Sequence, residues 1–332
     1  MTTILFASCG DTPKKKIDIK NETLKVNSFR FDKALFSCDT NRLQQSVDSL
    51  GDLHPDFASV FFNQLTGFRQ PGKEDVFYQS IRHFLTYKDY RNLMDTVNLK
   101  FPDTKEIDAS LETLFKHVHH YYPSQTYRQV YYFVSGLNYW KAITIDTIAA
   151  VGLDMFLGED YPHYASVQIP SYETKRCEPK FIPIFMAKTI YEKMFPLVQE
   201  DKTLLELMLQ NGKELLFMEY MLPDRKESDI IGFSEKQYQW CEENEAMIWS
   251  FFSKNKLLYT KQWQEMMRYV NDGPFTSGMP QESPGNTGSW TGWRILKKYW
   301  EKHPDKTLQE ILADTTPAQT ILEQARYKPE TN

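Results

Sequence analysis

The chain has 332 residues, 41% of them apolar and 25% charged, enough hydrophobic material for one large folded body or two small ones. A formal charge of −5 argues against nucleic acid, because phosphate binding is driven by clustered Lys and Arg. Four cysteines (Cys9, Cys38, Cys177 and Cys241) occur without CxxC spacing, which excludes a disulfide framework and a Cys₄ zinc site.

At the N-terminus Ile4-Leu5-Phe6-Ala7-Ser8 runs into Cys9, followed by Gly10, Asp11 and Lys14-Lys15-Lys16. An apolar stretch closing on small residues and a cysteine is similar to the lipobox of a bacterial lipoprotein, in which the cysteine becomes the mature N-terminus and carries acyl chains. Residues 1–9 then read as the remnant of a lipoprotein signal. Met1 to Ser8 contains no Lys or Arg, so the signal itself is expected to be longer than the stretch present. Residues 10–26 are charged and poor in large apolar groups, and predict a flexible tether. The remainder, 27–329, reads as one folded domain. No segment of it approaches the roughly 18 to 20 apolar residues of a membrane-spanning helix.

Helical periodicity dominates the first third, near residues 40–50, 55–65, 74–84 and 87–98. It is clearest between Thr104 and Tyr121, where Ile107, Leu111, Leu114, Phe115 and Val118 recur every three or four positions. From Tyr127 to Leu157 β-branched and aromatic runs alternate with Gly and Asp, predicting a meander of three strands. Helical pattern returns from Phe181. Ser234 with Gln237, and Thr307 with Glu310, are capping-box signatures. Gly212 interrupts the apolar helix Leu204 to Leu222, which marks close approach by another backbone or by a ligand, packing being the simpler reading. The longest irregular stretch, 271–289, is dense in Gly, Pro and Ser and reads as functional or mobile. The fold class is therefore α+β, a predominantly helical single body with a small sheet of three strands or more.

Motifs for chemistry are mostly missing. HExxH, GxSxG, GxGxxG and the Walker pattern do not occur, so no metal or cofactor is expected. His117 and His120 share a helical face while His119 points away, giving two zinc ligands at most. Glu242, Glu245 and Trp249 fall at i, i+3 and i+7 of one expected helix, where paired carboxylates beside an aromatic suit cation binding or acid/base work. An acidic face favoured by the helix dipole explains the same spacing.

Four strings, VGLDMFLGEDYPHY (151–164), QYQWCEENEAMIW (237–249), VNDGPFTSGMPQESPGNTGSWTGWRI (270–295) and ILEQARYKP (321–329), resemble the gliding motility-associated lipoprotein GldB family of Bacteroidota over nearly the whole body. The resemblance implies a lipidated Cys9 and a cell-envelope lipoprotein serving gliding motility and the associated type IX secretion machinery. More faintly, the chain resembles predicted zinc peptidases in which a meander leads to an HExxH helix and then to a helix with a Glu-Gly pair. Here Pro183 and Ala187 stand where the histidines would be and Asn211-Gly212 replaces Glu-Gly, implying a zincin-peptidase-like scaffold without its zinc. The expected function is non-catalytic, with a groove that binds another gliding or secretion protein. Its candidate lining is Asp154, Asn211, Gly212, Glu242, Glu245, Asp272, Trp290 and Trp293. The alternatives are an unusual metal-dependent hydrolase built on Asp154, Glu242, Glu245 or the histidines, and a glycan binder using the exposed-looking tryptophans. A lysine run after Cys9, rather than acidic residues, points to a periplasm-facing lipoprotein.

Overall fold

A computed structural model describes residues 17–19, 22–196 and 201–329; Cys9 and most of the expected tether lie outside them. The chain forms two compact units. One holds residues from Glu22 to Gln199 with Asp272–Pro274, the other residues from Glu200 to Asn271 and from Phe275 onward.

The first unit is built on a four-stranded sheet in the order β1-β2-β4-β3, with β1 Asn27–Arg30, β2 Gln129–Phe133, β3 Ala142–Ile145 and β4 Ile148–Gly152. All three strands of the expected meander form, but not as a meander. β2 pairs in parallel with both β1 and β4, and only β3 and β4 make an antiparallel hairpin. β2 and β4 are buried almost throughout, and near-continuous apolar strands suit parallel pairing with cover on both faces. β1 is too short and too polar to be evident in sequence.

Helices Leu43–Leu53, Pro55–Val60, Glu74–Thr86, Lys88–Lys100, Lys105–Tyr121 and Ile182–Met194 belong to the same unit. The stripe read between Thr104 and Tyr121 is buried as expected. A cluster of rings fills the core: Phe57 stacks on Tyr131 at 4.4 Å, and Phe31 meets Phe57 and Phe61 edge-on or tilted at 4.9 and 5.1 Å, arrangements that add to burial alone.

The second unit is helical. Leu204–Met221 begins at a capping box of Thr203 and Glu206 and packs against Thr287–Glu301. The two helices cross at glycines: a Cβ added to Gly212 would lie 2.5 Å from the Gly292 carbonyl carbon, and one added to Gly292 would lie 1.8 Å from the Met208 carbonyl oxygen. The backbone approach inferred for Gly212 is thus the helix crossing itself. Capping boxes at Ser234/Gln237 and Thr307/Glu310 both form. Residues 276–289 of the irregular stretch are knit together by buried hydroxyls. Thr276 Oγ1 donates to the Pro284 carbonyl at 2.7 Å and lies 2.9 Å from Thr287 Oγ1, while Ser283 Oγ donates to the Pro280 carbonyl at 2.6 Å.

Cys38, Cys177 and Cys241 are all free thiols, and burial raises the pKa of each.

Candidate functional site

The parallel register sets Phe133 at the end of β2 beside Gly152 at the end of β4, so the segments leaving both strands emerge together. The segment after β2, residues 134–141, carries three left-handed residues within four positions: Gly136 at φ 81°, Leu137 at 64° and Tyr139 at 65°. For Leu and Tyr that conformation is unfavourable by about 1–2 kcal/mol each, because Cβ crowds the following carbonyl. Something must hold it.

Asp154, just past the end of β4, does so. Its Oδ2 accepts from Leu137 N at 2.8 Å, Ser135 N at 3.0 Å and Ser135 Oγ at 3.3 Å. Ser135 Oγ in turn accepts from Asn138 N at 3.2 Å. The Asp154 carboxyl is fully buried, and desolvation pushes its pKa up to about 6 against the opposing hydrogen bonds from Leu137 and Ser135. Oδ1 has no hydrogen-bond partner among the described residues. Tyr164 props the same turn, donating to the Asp154 carbonyl at 3.1 Å and accepting from Leu157 N at 2.9 Å.

The far end of the loop is fixed on β4. A Cβ at Gly152 would sit 2.0 Å from the Trp140 carbonyl oxygen, so only glycine lets the loop pass. Gly152 N donates to the Lys141 carbonyl at 3.1 Å, closing the loop onto the strand. The Tyr139 hydroxyl donates to the Val167 carbonyl. The result is a stiff loop that presents Tyr139 and Trp140, 50% and 38% exposed.

Lys141, the next residue, sits among charges. Its ammonium lies 4.5 Å from the centre of the Phe185 ring and 3.9 Å from Glu173 Oε2. Desolvation lowers its pKa, with Arg176 adding to the effect and Cys177, Glu173 and Asp272 opposing it. Arg176 lies over the same ring at 4.8 Å and pairs with Asp272 at 2.9 Å.

The candidate residues read from sequence are distributed as follows. Asp154 and Asp272 belong to the sheet unit and to this site. Asn211 donates to Ser289 Oγ at 2.8 Å within the helical unit, beside the Gly212 crossing. Trp290 and Trp293, expected to line a groove and to look outward, are fully buried; the close helix crossing draws their face of Thr287–Glu301 inward, and Trp293 Nε1 donates to Glu219 Oε2 at 3.0 Å. Glu242 and Glu245 do not share a helix: Asn244 separates Glu235–Glu243 from Glu245–Lys254. Glu242 is exposed, whereas Glu245 binds Arg294 Nε at 3.2 Å and the Tyr327 hydroxyl at 2.7 Å. His117 Nδ1 lies 2.9 Å from the Thr113 carbonyl, and His120 pairs with Glu22 at 3.7 Å. Among the described residues no group of three or more His, Cys, Asp or Glu is placed to hold a metal ion.

Tyr139, Trp140, Lys141, Arg176 and Phe185 escape the sequence reading. Ser135-Gly136 with Asn138, turn formers between two strands and directly ahead of two aromatics, is the available signal.

The fold defines a mostly helical α+β protein carrying a small mixed sheet. Within that class the chain belongs to the gliding motility protein GldB family, whose model matches residues 12–329. No curated protein and no solved structure matches it. Among the described residues no helix is long and apolar enough to cross a membrane.

Proposed function

We propose that the protein is a non-catalytic lipoprotein of the cell envelope, acylated at Cys9 and facing the periplasm, that supports gliding motility and the associated type IX secretion by docking a partner protein. Residues 10–26 are read as the tether, its last stretch held on the body by buried Leu24 and by Val26 N donating to Glu112 Oε2 at 3.3 Å, and 27–329 as the working domain. The docking element in this reading is the Val134–Lys141 loop. The observation that carries it is the conformation of that loop: strained, held by a buried carboxylate, and yet presenting two large aromatics to solvent. Strain of this kind persists where surrounding structure over-determines it, and it clusters at ligand-binding sites; exposed Tyr and Trp are the commonest anchors of protein interfaces. Asp154 has the role of positioning the loop, and Asp272 that of positioning Arg176. Asn211, Gly212, Trp290, Trp293 and Glu245 act indirectly, by holding the helical unit together, and Glu242 is left as an outward contact.

The test is a Tyr139→Ala/Trp140→Ala variant expressed in place of the native protein. Gliding is expected to fail while protein abundance and melting temperature stay within those of the native chain. Undiminished gliding by a folded double variant would remove the loop from the reading. Mass spectrometry of the mature N-terminus tests the acyl chains, and protease treatment of intact cells tests the periplasmic orientation.

A further inference from the structure

Lys141 and Arg176 share the Phe185 ring, at 4.5 and 4.8 Å from its centre. Both side chains are largely buried, 14% and 13% exposed. Neither has its full set of hydrogen bonds. At 3.9 Å the Glu173 carboxylate is too far from the Lys141 ammonium for a hydrogen bond, and Lys141 has no hydrogen-bond acceptor among the described residues. Arg176 donates from Nη1 to Asp272 at 2.9 Å, while its Nε is buried with no acceptor among the described residues. A buried cationic donor without an acceptor, as at Arg176 Nε, is costly, and in native proteins such groups find acceptors.

The missing acceptor has a definable chemistry. Both groups only donate and both carry positive charge, so an oxyanion answers them better than a neutral oxygen. Arg in particular matches the two oxygens of a carboxylate through its planar fork. The charges of Lys141, Arg176, Glu173 and Asp272 already cancel, so a singly charged ligand suits the cluster better than a dianionic phosphate. Tyr139 and Trp140 immediately precede Lys141 on the pinned loop and offer apolar area for whatever the carboxylate is attached to.

We propose that Lys141 and Arg176, with Phe185 beneath them, form a carboxylate-binding site that takes an acidic side chain or chain terminus of a partner segment whose apolar part rests on Tyr139 and Trp140. The source of the carboxylate rests on the docking reading; the site itself does not.

The test uses the purified protein with isotope-labelled lysine side chains. It is titrated with sodium acetate, with an end-blocked Asp/Glu-rich peptide and with sodium phosphate, each against sodium chloride at matched ionic strength. The Lys141 resonance is expected to move saturably with acetate and more tightly with the peptide. Lys141→Met and Arg176→Gln should each weaken peptide binding about tenfold or more, whereas Lys141→Arg, which keeps the charge, should retain most of it. The site is overturned if the carboxylates move the Lys141 resonance no further than chloride does, or if phosphate alone moves it. Failure of gliding in the Tyr139→Ala/Trp140→Ala strain together with no carboxylate binding in solution would sink this site and leave the docking reading standing. Carboxylate binding in solution with undiminished gliding in that strain would support the site and sink the docking reading.

Discussion

Replacing Asp154 with asparagine should make the protein more stable near neutral pH and less sensitive to pH. The carboxyl is fully buried, and burial raises its pKa from the ordinary 3.8 to about 6. That rise corresponds to about 3 kcal/mol of native-state penalty on the ionised form. Because the folded pKa lies above the unfolded one, the folded state holds more protons between those values. The contribution of this group to stability is therefore full below about pH 4 and is lost as pH rises through about 6. Asparagine keeps an acceptor oxygen for Leu137 N and Ser135 N without the charge. Chemical denaturation of both proteins at about pH 4 and about pH 7 isolates the effect. The variant should match or fall below the native protein in acid and exceed it near neutrality by up to about 3 kcal/mol. Asp154→Ala, by contrast, leaves two backbone N–H groups without their acceptor, at about 1–3 kcal/mol each, and should be destabilised in acid. A stability difference between the native protein and the Asp154→Asn variant that does not change with pH would refute the reasoning.

Three further outcomes are expected. Gly292→Ala drives a methyl against the Met208 carbonyl, 1.8 Å from its Cβ position, and should destabilise by about 3 kcal/mol or more, read as a large drop in melting temperature. Lys297→Met removes a cation that lies 3.2 Å from buried Glu219, 2.7 Å from Glu227 and 4.2 Å from the Trp293 ring; the loss should approach about 3 kcal/mol in urea unfolding, because a buried carboxylate loses the cation beside it. Thr203→Ala removes the side chain that accepts from Glu206 N in the capping box and should cost about 1 kcal/mol in the same assay.

Local signals are legible in the sequence and long-range ones are not. The stripe from Ile107 to Val118, the capping boxes at Ser234 and Thr307, and the close approach at Gly212 each depend on neighbours within a few residues or on the absence of a side chain. Strand order does not: the parallel pairing of β2 with β4 carries the chain past β3, and a short polar β1 completes the sheet from about a hundred residues upstream. The same limit applies to the site. Asp154 is visible as an acidic residue at a strand end, but its hold on Leu137 depends on a turn whose left-handed residues are mostly not glycine. Trp290 and Trp293 resemble binding aromatics because nothing in their own helix reveals that a pair of glycines brings another helix over them. Glu242 and Glu245 resemble a pair because Asn244 does not announce a helix break.

The three free thiols have a consequence for how such a protein can be handled. No covalent crosslink among the described residues holds the body together, so reductant in a purification buffer should leave their packing intact. Cys177 and Cys241 are also shielded. Their labelling by an alkylating reagent would signal loss of native packing rather than the side of a membrane on which the protein resides.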